Sequence, residues 1–521
     1  MTLPPFRDLP LATRIAQLFC LAIPSADPTA LAEAAEDLRR HAWGGYIFDA
    51  RRDDRNRLAE LQAAAPLPLL VACDLEMGAG QHLDEATRFP HAMAFGATAQ
   101  PEHAYHLGRL TALEARAAGI NWVLAPIADV NSNPHNPIIN VRSFGSDPER
   151  VAAFVAAFVR GCEEHGAIAC AKHFPGHGDT ADDSHSRLAT SHATRDRLEH
   201  LEWVPFRAAI AAGVGSVMSA HVAVPALDPT GLPATLSSRI LGTLRTELGY
   251  DGLIVSDALI MGGVTETFND ETAAVEALLA GCDVLLMPPN PQKALAAVLA
   301  AVQEGELDEE RINQSVARVW ALKERVLAAQ AARPGDVTRE AEALAEAVAR
   351  EALTLAKGEP EALPVDLPRA FQLLIDDDED PAAYAPWSQG LAARELGTPR
   401  VVTRQSNEAE LHAIRPPEPG MPVICAVFST VKAWKGRIDL SSEHAALLNR
   451  LRDEGHPLYL VSFSNPYIAR QVPRTEAFLC AYSDHPASQR AALAALAGEA
   501  PVRGTLPVTL DSWPGTRVLE A

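Results

Sequence analysis

The sequence predicts an α/β protein: a (β/α)8, TIM-type barrel followed by a smaller C-terminal α/β sandwich domain. Three observations predict it. Up to about Pro289, short apolar segments alternate with helical stretches, the pattern of repeated βα units with parallel strands and right-handed crossovers. The ionisable residues of interest follow those apolar segments, as they do at the C-terminal mouth of such a barrel. Beyond a Pro-Gly break in ARPGD (332–336), a second series of apolar segments begins, and such a break marks a linker.

The elements follow in order. Leu11, Ile15, Leu18 and Phe19 have helical spacing, which predicts an amphipathic first helix. The apolar run from Ile15 to Pro24 is short, follows a mixed Arg7-Asp8 pair and has no small-residue cleavage site, so it does not read as a secretory signal. Strands are predicted at GGYIF (44–48), PLLVAC (68–73), NWVLAP (121–126), IACA (168–171), VGSVMS (214–219), GLIVS (252–256) and DVLLM (283–287). One more strand at an end would close an eight-stranded barrel; an open doubly wound sheet is the alternative. Helices are predicted at 101–118, 148–164 and 195–212, and charged helices from Leu295 to Lys357. The expected division is a barrel domain with trailing helices at 1–331, a linker and connecting helix at 332–365, and the second domain at 366–521. Strands are predicted there at FQLLID (371–376), PVICAVF (422–428), PLYLVSF (457–463) and AFLCAY (477–482), with no dense ionisable loop among them.

At 521 residues the chain is too long for one ordinary core, which agrees with two domains. A formal charge of −22 argues against nucleic acid as a partner, because a phosphate backbone is bound through excess Lys and Arg. No segment is long enough to span a membrane. The seven cysteines are scattered without CxxC pairs, which suits a reducing compartment and predicts a cytoplasmic protein.

The segment KHFPGHGDTADDSH, Lys172 to His185, concentrates one lysine, three histidines and three aspartates. Pro175, Gly176 and Gly178 preclude a helix there, so a strand ends in an ionisable loop. Asp74, Arg142, His221 and Asp257 also follow predicted strands or lie in loops between them, and in a closed barrel they converge on one opening. Asp257 alone reads as a helix cap; beside the histidine loop it reads as a catalytic anion.

These motifs resemble glycoside hydrolase family 3 in its two-domain form, specifically its branch of bacterial β-N-acetylglucosaminidases. The signature of that branch, KH(F/Y)PGHG followed by D-S-H, is matched at Lys172–Gly178 and Asp183–His185. The family's nucleophile stands in an SD dipeptide after a strand, matched by Ser256-Asp257. NVRSFG (140–145), MSAH (218–221) and ELGYDGLIVSD (247–257) match as well, and GTLPVTL (504–510) is similar to the closing strand of the family's second domain. The resemblance covers nearly the whole chain. It implies Asp257 as nucleophile, His185 as acid/base, and Asp74, Arg142, Lys172 and His173 as sugar-binding residues, with no metal and no cofactor. One departure stands out. Where the family has DQEGG followed by arginines, this chain has DLEMG, with Ala79 and His82 at the arginine positions. His82 is therefore the substitute sugar contact, with Arg88 as the alternative.

The residues support that chemistry directly. Retaining glycoside hydrolysis needs a nucleophilic carboxylate and a proton donor. Asp257 stays anionic when hydrogen-bonded and near Lys172 or Arg142. An unperturbed imidazole has a pKa of about 6.5, so His185 suits protonating a leaving oxygen and then deprotonating water. Asp183 is spaced to orient that ring and stabilise the imidazolium. The glycines let the loop move, so the dyad can assemble with sugar bound.

The expected activity is an exo-acting retaining β-N-acetylglucosaminidase on peptidoglycan or chitin fragments, with carbohydrate as its partner and neither nucleic acid nor membrane. A phosphorylase is the alternative, since a neutral histidine base repels phosphate less than a carboxylate. A family 3 β-glucosidase, which usually takes a glutamate acid from its second domain, comes next. Glu443 and Glu454 there lie in stretches that read as solvated faces. The non-enzyme alternative is a sugar-binding pseudoenzyme, against which Asp257, Asp183 and His185 are all retained. A metal site is the rival reading of His173, His177, Asp179, Asp183 and His185. His177 and Asp179 read as structural, Ser184 as a loop hydrogen-bonder, Cys170 as buried packing, and His221 equally as core or pocket.

Overall fold

The computed structural model describes residues 3–23, 27–48, 55–330, 335–431 and 434–510. The expected break at 331/332 lies outside them. Chain contacts divide the protein into two compact units. The first comprises Met1–Arg88, Pro101–Val130 and Val151–Ala341, and the second Phe89–Gln100, Asn131–Arg150 and Glu342–Ala521.

The first unit is a barrel of eight parallel strands. In chain order they are β1 (Phe19–Ala22), β2 (Gly45–Phe48), β3 (Leu70–Cys73), β4 (Trp122–Val123), β5 (Ile168–Phe174), β6 (Ser216–Ser219), β7 (Leu253–Ser256) and β8 (Leu285–Leu286). Each pairs with its chain neighbour, β8 pairs with β1, and a parallel bridge from Val255 to Val284 joins β7 to β8. The ring thus closes. Helices cover the outer faces, so the strands are buried on both sides and read as continuous apolar runs. Inside the barrel, Trp122 Nε1 donates to Ser216 Oγ at 2.8 Å, and Ser216 Oγ donates to Ala169 O at 2.9 Å, which satisfies the buried indole.

The strand missing from the predicted set is β1. The first helix stops at Ala16, and Phe19 opens a strand instead. An apolar run entering directly from a helix satisfies both periods, and only pairing with β2 and β8 decides between them. The predicted helix at 195–212 is broken: Trp203 N donates to Leu198 O in a π turn over Leu198–Glu202, and Pro205 has no N–H to continue the ladder.

The second unit holds a six-stranded sheet of β9 (Thr354–Gly358), β10 (Phe371–Asp376), β11 (Arg400–Thr403), β12 (Val423–Phe428), β13 (Leu458–Ser462) and β14 (Ala477–Cys480). Its order is β9-β14-β13-β12-β10-β11, parallel except for the antiparallel β9–β14 edge. Leu374, Ile424, Phe428, Val461, Phe463 and Trp387 build its core. Three expectations are corrected here. Thr354–Gly358 is a strand where the charged helices were expected to run on. Residues 504–510 form no strand; Gly504 N donates to Leu353 O and Thr505 N to Ala97 O. The unit also has a dense ionisable loop after β10. Buried Asp377 lies 2.7 Å from Arg404 Nε and accepts from Ser429 Oγ at 3.0 Å, while Asp378 accepts from Lys435 Nζ at 2.6 Å. No helix among the described residues is long and apolar enough to cross a membrane.

Candidate active site

The C-terminal ends of β3, β4, β5, β6 and β7 each deliver an ionisable residue of the first unit. From β5 comes Lys172, whose ammonium lies 2.5 Å from Asp74 Oδ1 and 2.9 Å from Glu76 Oε1. The lysine side chain is 3% exposed and Asp74 is 42% exposed, so the buried cation is held by carboxylates that follow β3 while one of them still faces solvent. Glu76 was not singled out from the sequence; its signal is a second acid two residues past Asp74.

His173 is oriented by Asp129, a residue that the sequence reading missed. The fully buried Asp129 accepts His173 Nδ1–H at 2.8 Å, His173 N–H at 3.2 Å and His177 N–H at 2.7 Å. Burial pushes Asp129 up, but His173 and His177 outweigh it and hold the carboxyl below its usual range. Its signal was there: Asp129 follows the NWVLAP strand as Asp74 and Asp257 follow theirs.

His177 organises the loop beyond. Its Nδ1 pairs with Thr180 Oγ1 at 2.7 Å and its Nε2 with Ser184 Oγ at 2.8 Å. Burial first, then His173, lower its pKa to about 4, so the ring is neutral. Asp179 accepts from Ser191 Oγ at 2.8 Å and faces Arg197 at 3.4 Å, outside the Asp183–His185 pair. Gly176, at φ +126°, packs over Glu202, where a Cβ would meet Glu202 Cβ at 2.7 Å.

At the end of the loop, His185 Nδ1 donates to Asp183 Oδ1 at 2.7 Å, and the same oxygen accepts His185 N–H at 3.0 Å. Asp183 is 4% exposed and the His185 ring 23% exposed. The carboxylate is thus buried behind a ring that reaches solvent.

Asp257 follows β7. Its N–H donates to Ser219 O at 3.1 Å, and its Oδ1 accepts from Ala258 N at 2.8 Å. Burial raises its pKa, but His221, His173 and His185 together with the Ala258 amide overcome this and hold it below the usual carboxylate range. An anion is the resting form. His221 is fully buried, its Nδ1 pairing with Thr235 Oγ1 at 2.9 Å and its Nε2 donating to Ala258 O at 3.0 Å. It braces the backbone beside Asp257.

Arg142 belongs to the second unit and donates to Ile138 O at 2.9 Å. His82 closes the turn Ala79–Gln81, its N–H donating to Ala79 O at 3.2 Å. Glu443 and Glu454 are exposed on the second unit, and Glu454 lies 3.2 Å from Arg415. Cys170 is buried beside Ser216, and all seven cysteines are free. Among the described residues, no group of three or more His, Cys, Asp or Glu is arranged to hold a metal ion.

A closed barrel whose strand ends carry carboxylates and histidines is an enzyme scaffold, and comparison with known proteins says which. The model of the glycosyl hydrolase family 3 N-terminal domain matches residues 12–322. A β-N-acetylglucosaminidase/β-glucosidase from Cellulomonas fimi is 31% identical over 95% of this chain and 93% of its own length. A β-hexosaminidase from Stenotrophomonas maltophilia is 38% identical over 51% of this chain and 83% of its own. Among solved structures, a family 3 β-N-acetylglucosaminidase from Paenibacillus sp. is 34% identical with a TM-score of 0.85, covering 96% of this chain and 99% of that one. A β-glucoside phosphorylase is 26% identical with a TM-score of 0.86, covering 97% and 95%. The chain belongs to glycosyl hydrolase family 3 and is a glycosidase of that family.

Proposed function

We propose that the chain is a retaining exo-β-N-acetylglucosaminidase that removes terminal N-acetylglucosamine from peptidoglycan or chitin fragments in the cytoplasm. The observation that carries the reading is the Asp183–His185 pair at 2.7 Å, on a loop whose histidine acts electrostatically on the strand-end anion Asp257. The names of the Cellulomonas and Paenibacillus relatives support the sugar. Seven free cysteines suit a reducing compartment.

In the first step the Asp257 carboxylate bonds to the anomeric carbon as the glycosidic C–O bond breaks. The His185 imidazolium gives its Nε2 proton to the departing oxygen. Asp183 holds Nδ1–H throughout, fixing the ring and balancing its charge. In the second step the neutral ring takes a proton from water, whose oxygen displaces Asp257 from the anomeric carbon. The imidazolium returns and the configuration is retained. Lys172, His173 and Asp74 hold the sugar hydroxyls, with His82 in place of the family's arginine.

A second reading, phosphorolysis, is favoured by the likeness to the β-glucoside phosphorylase. Turnover of an aryl β-N-acetylglucosaminide with and without phosphate separates the two. Hydrolysis gives free N-acetylglucosamine at a rate independent of phosphate. Phosphate-dependent release of the sugar 1-phosphate would overturn it, and faster turnover of an aryl β-glucoside would overturn the sugar assignment.

A further inference from the structure

We infer that Gly262 and Gly263 are positioning residues that dock the His185 loop onto the segment carrying Asp257. The inference rests on the acid/base reading of His185 above. The helix Gly262–Thr265 begins just past Asp257, and its N-cap, Met261, offers no side-chain cap. The first amides of a helix have no partner within it. Here the acid/base loop supplies them: Gly262 N–H donates to His185 O at 3.0 Å, and Gly263 N–H donates to Ser184 O at 3.2 Å.

The approach is too close for a side chain. A Cβ on Gly262 would lie 2.5 Å from Ser186 O and 3.0 Å from His185 O. A Cβ on Gly263 would lie 2.9 Å from His221 Cβ and 3.1 Å from Ser184 O. Neither glycine has a positive φ, so space rather than backbone conformation requires glycine here. The docking surface is itself anchored, because Leu259 N–H donates to Leu286 O on β8 at 2.9 Å, and Met261 N–H donates to Ala258 O at 3.0 Å. Ser184 is gripped on two sides, its carbonyl by Gly263 and its hydroxyl by His177. The loop bearing the proton donor is thus registered against the backbone bearing the nucleophile.

The test compares Gly262→Ala and Gly263→Ala with Gly242→Ala, a control whose Cβ would meet nothing within 4 Å. Each is assayed on aryl β-N-acetylglucosaminides from activated to poor leaving groups, with thermal midpoints and His185→Ala alongside. General acid–base catalysis contributes about 10²–10⁴-fold. A displaced loop therefore lowers kcat/KM about tenfold or more for the poorest leaving group, changes it little for the most activated one, and lets azide accelerate turnover. Gly242→Ala behaves as wild type. If Gly262→Ala fails to fold, Gly263→Ala, with its milder contacts, carries the same test. Equal losses across all leaving groups, or none, while His185→Ala shows the leaving-group dependence, overturn the docking and leave the acid/base reading standing. If His185→Ala itself shows no such dependence, the acid/base reading falls and takes this inference with it.

Discussion

The ammonium of Lys172 lies 2.5 Å from Asp74 Oδ1, buried at the barrel mouth, with Glu76 Oε1 2.9 Å away on its other side. Removing one member of such a group leaves the others uncompensated. Lys172→Met is expected to cost about 3 kcal/mol of stability in urea unfolding. With one charged hydrogen-bonding partner of the sugar lost, kcat/KM falls about tenfold to a hundredfold, mainly through KM. Unchanged kinetics in the folded variant would remove Lys172 from the sugar site.

Two buried groups titrate near neutrality with opposite consequences. Burial, opposed by Arg197, pushes Glu202 up to about 7. Its native pKa exceeds the unfolded value, so its stabilisation is complete below about 4.3 and is lost as pH rises through about 7. Burial brings Lys323 down to about 7, with Gln17 Oε1 2.5 Å from its ammonium. Its native pKa lies below the unfolded value, so its contribution is complete above about 10.4 and is lost as pH falls through about 7. Glu202→Gln should flatten the fall in thermal midpoint as pH rises from about 4.3 to about 7, and Lys323→Met the rise in midpoint as pH goes from about 7 to about 10.4. Unaltered profiles in both variants would refute this assignment.

Asp283 ties together the start of β8 and two helices. Its fully buried carboxylate faces Arg245 at 2.5 Å and Arg311 and Arg318 at 3.2 Å, and accepts Ile254 N–H at 2.9 Å. Asp283→Ala is expected to cost about 3 kcal/mol or more, because three arginines lose their common anion. Activity per folded molecule should stay near wild type, measured below the unfolding transition.

Much of this was legible in the sequence, for identifiable reasons. β2, β3, β6 and β7 are short apolar runs between turn signals, and periodicity finds such runs. β1 was hidden because Leu11, Ile15, Leu18 and Phe19 keep a helical spacing across the point where the helix ends. β11 (RVVT) is short and partly exposed, so it gave no apolar run. Asp74, Lys172, His185 and Asp257 stood out through motif and strand-end position. Asp129 did not, although it too follows a strand, since what singles it out is His173, which comes beside it only when β4 pairs with β5. The Asp377 network was invisible for a similar reason: Arg404, Ser429 and Lys435 reach it from separate loops.

Asp257→Ala should abolish turnover while leaving the unfolding transition within about 1 kcal/mol of wild type, since a partly exposed side chain with one backbone partner is removed. A folded variant with near-wild-type activity would show that the nucleophile is another group.

The central claim is that His185, held by Asp183, moves the proton in both steps. Its most direct test is turnover of a p-nitrophenyl β-N-acetylglucosaminide by His185→Ala, with and without azide. An activated leaving group needs little protonation, so the glycosyl-enzyme still forms, but its hydrolysis lacks a base. The account predicts a burst of nitrophenol, slow steady turnover, and acceleration by azide with the β-glycosyl azide as product; Asp183→Ala shows the same behaviour more mildly. No burst, no azide effect and an equal loss for natural and activated substrates would contradict it, and would make His185 a binding residue.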